Sequence, residues 1–325
     1  MLQPSNLLKS SSENMKYFGL QNQIWRNNTN SVIILVMFPL IIVGLTWLFF
    51  FITAMSGDEP VEMSRLNYGF IRTVPVVLAG VAIWFVIAWF SHTAMISKAT
   101  ASKPLSRNEN KRVYNLVENL CISKGMKMPQ INIIEDDSLN AFASGIDNRS
   151  FSISLSRGII NKLEDDELES VIAHELTHIR NRDVRLLIIS IIFVGIFAFV
   201  SEAMFRSMRF SSLGKGKKGG GIILILLLAL LGYLLASLFR FALSRKREYL
   251  ADAGAVELTH KPHSLASALR KISGDPTIEA VKRKDVAQMF IENPQLKEKD
   301  TSFSISTLFA THPPISKRIE LLEQY

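Results

Sequence analysis

The chain has 325 residues, of which 48% are hydrophobic and 20% charged, a balance that excludes a disordered chain and supplies enough length for one or two domains with a real core. One cysteine, Cys121, excludes an intrachain disulfide and suits a reducing compartment. The net charge of +8 comes without any nucleic-acid-binding module, so the basic clusters beside apolar runs are assigned to anionic lipid headgroups instead.

Residues 1–30 form a polar N-terminal segment, read as cytoplasmic. A transmembrane hairpin follows over 31–97. Val32 to Ile52 carries no charge and ends on Trp47 and three consecutive phenylalanines, the aromatic edge expected at headgroups. Thr73 to Ser97 is a second uncharged run, with Trp84 and Trp89 inside it. The first run is too long for a signal-peptide core and lacks a small-residue cleavage site, so it reads as a retained anchor.

Residues 98–183 read as a polar lobe. Ser106 to Lys124 has the apolar spacing of an amphipathic helix, with Val113, Leu116, Val117 and Leu120 on one face. "QINIIED" and "RSFSISLS" alternate with period two around the turn-rich "NAFASGIDN", which predicts a small antiparallel sheet. A helix is expected from about Asp166, where Asp166 and Glu169 have capping-box spacing, onward through "VIAHELTHIRNRD". A second hairpin is read over 184–243, from Leu186 to Ser201 and from Gly219 to Phe239; the first of these runs is short enough to insert without crossing. Residues 244–325 form a C-terminal lobe. Four spans bring both lobes to one side, and the Lys/Arg excess after the first hairpin puts that side in the cytoplasm. The basic loop holding Lys215, Lys217 and Lys218 argues the other way.

In "HELTH", His174 and His178 lie four residues apart, so on a helix their imidazoles share one face and one ion. Zinc suits such a pair, and Glu175 beside it could take a proton from the attacking water. The bland alternative, two ordinary helix histidines, is disfavoured because both stand away from the stripe of Leu168, Ile172, Leu176 and Ile179. In "SRKREYLADAGAVEL", Glu248 and Asp252 repeat the spacing of four; Glu248 could be a third ligand and Asp252 could accept an imidazole N–H, unless both are surface partners of Arg245 or Arg247. The basic end of the helix, Arg180, Arg182 and Arg185, suits both its negative dipole end and a lipid surface.

These residues, with "NAFASG" at 140–145, "HELTHIRNRD" at 174–183, "EYLADAGA" at 248–255 and "THPPISKRI" at 311–319, resemble the integral-membrane zinc endopeptidases of the HtpX type and, more distantly, the prenyl-protein (CAAX) endoproteases. The resemblance covers nearly the whole chain. It implies an α+β zincin-like metalloprotease domain, mostly helical with a small sheet, joined to four transmembrane or membrane-inserted helices. It also implies one zinc held by His174, His178 and Glu248, Glu175 as general base, Asp252 orienting a ligand histidine, Asn140 and Ala141 on a substrate-binding edge strand, and His312 with Arg318 near the site. The His312-Pro313-Pro314 run reads equally well as a rigid turn before a terminal helix. The implied role is clearing misfolded or damaged membrane proteins at the bacterial inner membrane under stress, in cooperation with other quality-control proteases. A prenyl-protein protease and a zinc-stabilised scaffold without peptidase activity are the alternatives.

Overall fold

A computed structural model describes residues 20–55, 62–192, 229–230, 232–233, 246–274 and 313–325. Two long helices come first, α1 (Leu20–Met55) and α2 (Met63–Thr100), packed against each other. Both are long and apolar enough to cross a membrane, and only 11% and 6% of their most apolar windows are buried within the protein. Helices of this length that keep such side chains on the outside suit a hydrocarbon solvent. The proposed second hairpin falls almost wholly outside the described residues, so of the four expected spans the described residues contain two.

After α2 the chain enters the lobe through β1 (Ser102–Pro104) and α3 (Lys111–Ser123). Helix α3 starts later than its periodicity predicts because the Asn110 side chain accepts from the Val113 N–H at 3.0 Å and caps it there. Strands β2 (Gln130–Ile134), β3 (Ala141–Ser144) and β4 (Ser152–Ser156) complete a sheet of order β1-β2-β4-β3. It is mixed rather than antiparallel: β1 runs against β2 and β3 against β4, but β2 and β4 are parallel. The "NAFASG" segment is itself a strand, and inserting one reversed strand between β2 and β4 turns their directions alike. Gly145 makes the turn out of β3 with φ +116°, and any Cβ there would lie 2.5 Å from the Ser150 carbonyl oxygen.

The serines of β4 are buried, not exposed as alternation suggests. Two of the three hydroxyls find internal partners: Ser152 meets Ser144 at 2.7 Å, and Ser156 donates to the Ser138 carbonyl at 2.6 Å while accepting from Ile159 N–H to cap α4 (Arg157–Lys162). Helix α5 (Asp165–Asn181) packs on β3 and β4. Its capping box uses Glu164 and Glu167 instead of Asp166 and Glu169. Tertiary partners set that choice, since the Glu167 carboxylate also accepts from Ser267 and Lys271 at 2.7 Å each. A further helix, α6 (183–192), follows α5 after one residue. Helices α7 (Lys246–Thr259) and α8 (Pro262–Gly274) close over α5, and α9 (Ile315–Leu322) packs on both of them.

Candidate metal centre

Helix α5 is buried on nearly every side: His174 is 0% exposed and Glu175 2%, with His178 only partly exposed. The apolar stripe of Leu168, Ile172, Leu176 and Ile179 faces the core as expected, but α7 covers the polar flank as well. Close approach of α7 depends on Gly254, where a Cβ would lie 2.4 Å from Thr177 Cγ2. Any side chain there would push α7, and with it Glu248 and Asp252, away from the histidines.

His174, His178 and Glu248 converge. The two Nε2 atoms are 3.1 Å apart, and Glu248 Oε2 lies 3.7 Å from the first and 3.8 Å from the second. A tetrahedral ion with bonds of ~2.0–2.1 Å spaces its ligand atoms by ~3.3–3.4 Å, close to this triangle. Each Nδ1 faces a carboxylate, His174 toward Asp252 Oδ1 at 3.0 Å and His178 toward Asp183 Oδ2 at 2.9 Å. Those carboxylates put the ring proton on Nδ1 and turn both Nε2 lone pairs toward the same point, an arrangement two neutral imidazoles adopt for a cation. The donor set therefore fits a metal ion, with Zn2+ the best match to two imidazoles and one carboxylate.

The electrostatics agree. Burial opposes a charged His174, but the carboxylates of Asp252 and Glu248 outweigh it and hold the imidazole up to about 9. The pocket thus demands positive charge at this point. Burial would also raise Asp252, yet the Arg318 guanidinium overrides it and holds the carboxyl down to about 2. Arg318, 1% exposed on α9, donates from Nε and Nη2 to the two oxygens of Asp252 at 2.9 and 2.7 Å. Its Nη2 is also 3.5 Å from His174 Nε2 and its Nη1 3.9 Å from Glu248 Oε2. For Glu175 burial dominates and raises the carboxyl, against the pull of His174 and His178.

Glu175 accepts a backbone hydrogen bond from Ala143 on β3. Strand β3 is an edge of the sheet, and the bond from Ser156 N–H to the Asn140 carbonyl fixes which of its groups face β4. By antiparallel alternation Ala141 and Ala143 then present their backbone groups to the outer edge. The Ala141 N–H is taken by Asn140 Oδ1 at 2.9 Å. Ala141 opens β3, which packs on α5, and Asn140 immediately precedes it.

Glu248 and Asp252 are 1% and 4% exposed, so neither is a surface ion-pair partner, although Arg247 Nε does lie 3.3 Å from Glu248 Oε1. His312 is outside the described residues. Two of the three basic residues assigned to lipid are engaged within the lobe: Arg180 pairs with Glu257 at 3.1 Å and the Arg182 guanidinium stands 5.3 Å from the Phe151 ring centroid. Asp183 is the residue that sequence reasoning missed. It lies five positions past His178, off the helix face, and reaches the imidazole only because Arg182 adopts φ +62° and turns the chain.

The pattern of peptidase family M48 matches residues 107–325, which include every one of these groups. The chain belongs to peptidase family M48. Among M48 relatives, it is 56% identical to the protease HtpX homolog of Bacteroides fragilis strain YCH46, over 96% of this chain and 100% of that protein. It is 34% identical to the protease HtpX homolog of Lactobacillus helveticus strain DPC 4571, over 94% of this chain and 99% of that protein. A crystal structure of S. mikatae Ste24p aligns over 92% of this chain and 66% of that one, with 20% identity and a TM-score of 0.46, a likeness too distant to bear on chemistry. With its two apolar helices, this M48 chain is a membrane metalloprotease.

Proposed function

We propose that this M48 protease is a zinc-dependent endopeptidase in which His174, His178 and Glu248 hold the ion and Glu175 is the general base. The observation that carries the reading is the convergence of two imidazoles and a carboxylate, His174 and Glu248 buried and His178 partly so, beside the buried carboxylate of Glu175. Zinc, when bound, supplies the positive charge that polarises the scissile carbonyl and acidifies the attacking water. Glu175 takes the proton from that water and delivers it to the departing amide nitrogen. Burial of Glu175 raises its proton affinity, which suits both halves of that transfer. The Ala143 N–H holds the carboxylate in place, and the carbonyls of Ala141 and Ala143 on the outer edge of β3 would accept from the N–H groups of an extended substrate backbone. Recognition through backbone bonds selects little for sequence, which suits misfolded or damaged membrane proteins as substrates and a role in stress response alongside other quality-control proteases.

A structural zinc site in a non-proteolytic scaffold has no use for a buried base, so Glu175 weighs against that alternative. The test uses detergent-solubilised protein with casein, a misfolded membrane protein and a prenylated peptide as substrates. Zinc-dependent cleavage of the first two is expected, and Glu175→Gln should keep the metal while losing ~10²–10⁴-fold in rate. Normal cleavage by that variant would remove Glu175 as the base, and cleavage of the prenylated peptide alone would favour the CAAX-type reading. The lobe is proposed to be cytoplasmic, with lipid contacts at the remaining basic juxtamembrane residues; a reporter quenched in the cytoplasm and fused at Lys217 tests the crossing of the second hairpin.

A further inference from the structure

The C-terminal end of α5 and the start of α1 meet at one buried hydrogen bond. The Asn27 side chain donates from Nδ2 to the Asn181 carbonyl at 2.8 Å, across 154 positions of sequence. Both residues are buried, Asn27 at 8% exposed and Asn181 at 2%. Asn27 lies within the segment Ile24–Ile52 that is apolar and long enough to span a membrane. Because the acceptor is a backbone carbonyl, the amide must present its NH2 group.

The last carbonyls of a helix have no partner within it, and the chain's path beyond them depends on what they find instead. Here the path matters. Asn181 ends α5, Arg182 turns the chain in the left-handed region, which is unfavourable for a non-glycine residue, and Asp183 follows at once with its carboxylate 2.9 Å from His178 Nδ1. Asp183 is 1% exposed and cannot reach His178 from a helix that simply continues. Whatever holds the Asn181 carbonyl therefore holds the turn that aims the His178 imidazole.

We infer that Asn27 is a positioning residue for the metal centre: the first membrane helix, through Asn27, Asn181 and Asp183, sets the orientation of His178. On this view the membrane hairpin is a structural part of the metal centre as well as an anchor. The inference rests on the zinc reading proposed above. It assigns Asn27 no contact with substrate or metal.

The experiment titrates the full-length chain in detergent with Zn2+ and records the d–d absorption of the Co2+-loaded protein, which reports ligand geometry. Removing a group that orients a metal-bound histidine costs 10–100-fold in metal affinity, and Asn27 acts one link further out, so Asn27→Leu should weaken Zn2+ binding by about 10-fold and alter the Co2+ spectrum. Asn27→Ser, which is shorter, serves the same purpose if the leucine variant does not accumulate. Thr29→Ala, on the exposed face of the same helix, should change neither readout. The Asp183→Asn variant weakens binding by its own route, and combining it with Asn27→Leu should add nothing further, because both act on one imidazole. Wild-type affinity and spectrum in a folded Asn27 variant, or additive losses in the double variant, would overturn the inference. Failure of the zinc reading looks different, since Glu248→Ala would then bind Zn2+ as wild type does.

Discussion

The membrane hairpin and the metal helix invert the usual relation between apolar sequence and burial. Helices α1 and α2 are the most apolar described segments, yet Val76 is 72% and Phe90 81% exposed on α2. Helix α5 carries Asp165, Asp166, Glu167, Glu169, His174, Glu175 and His178, yet most of it is inaccessible. Apolar residues face outward where the surroundings are hydrocarbon, whereas charged residues go inside only where each has a fixed partner. The hairpin is stabilised by what surrounds it and the metal helix by what is folded over it.

That contrast makes the lobe the fragile half wherever a partner is removed. The largest effect is expected at the ligands: Glu248→Ala should take bound zinc from one ion per chain to background, together with peptidase activity, measured by metal analysis of purified protein. Retention of a full equivalent of zinc at the original affinity would move the site elsewhere. Next comes Arg318→Met, which leaves Asp252 buried without its cation and should destabilise the lobe by ~3–5 kcal/mol in thermal unfolding. Adding Asp252→Asn should recover part of that loss if the stranded charge is its cause.

A smaller effect tests the pH dependence. Burial raises the Glu167 carboxyl, but Lys271, Ser267 and the Glu164 N–H together hold it below its ordinary value of 4.5. A depressed folded-state value means that the stabilisation is present above 4.5 and is lost as pH falls through the folded value. Glu167→Gln should therefore cost ~1–2 kcal/mol at pH 7 and flatten the acid limb of the stability profile, read as melting temperature against pH. Smallest of all, Phe90→Ala on the exposed face of α2 should alter lobe stability and zinc affinity by no more than ~0.5 kcal/mol. A larger change would show that this face packs against protein rather than lipid.

Residues with strictly local logic were readable along the chain. Two spans follow from uncharged length, and the pairing of His174 with His178 follows from helical spacing, as does that of Glu248 with Asp252. The turn residues flanking Ala141–Ser144 concealed that strand from the residue pattern, although the family resemblance implied one at Ala141, and the parallel pairing of β2 and β4 went unread with it. The capping box at Glu164 and Glu167 was hidden because Asp166 and Glu169 offer the same spacing, and the distinction lies in tertiary partners, Ser267 and Lys271 for Glu167 but Lys261 for Asp166 and Glu169.

By itself, then, the sequence determined which side chains could serve a metal and which helices could cross a membrane, because both depend on spacing within one helix. Tertiary structure decided that the two pairs meet, through the gap left at Gly254, and that Arg318 returns from α9 to neutralise Asp252. It also decided that Asp183 meets His178 and that Asn27 meets the Asn181 carbonyl. Those contacts depend on a left-handed turn and on chain segments 154 positions apart, and no local periodicity encodes either.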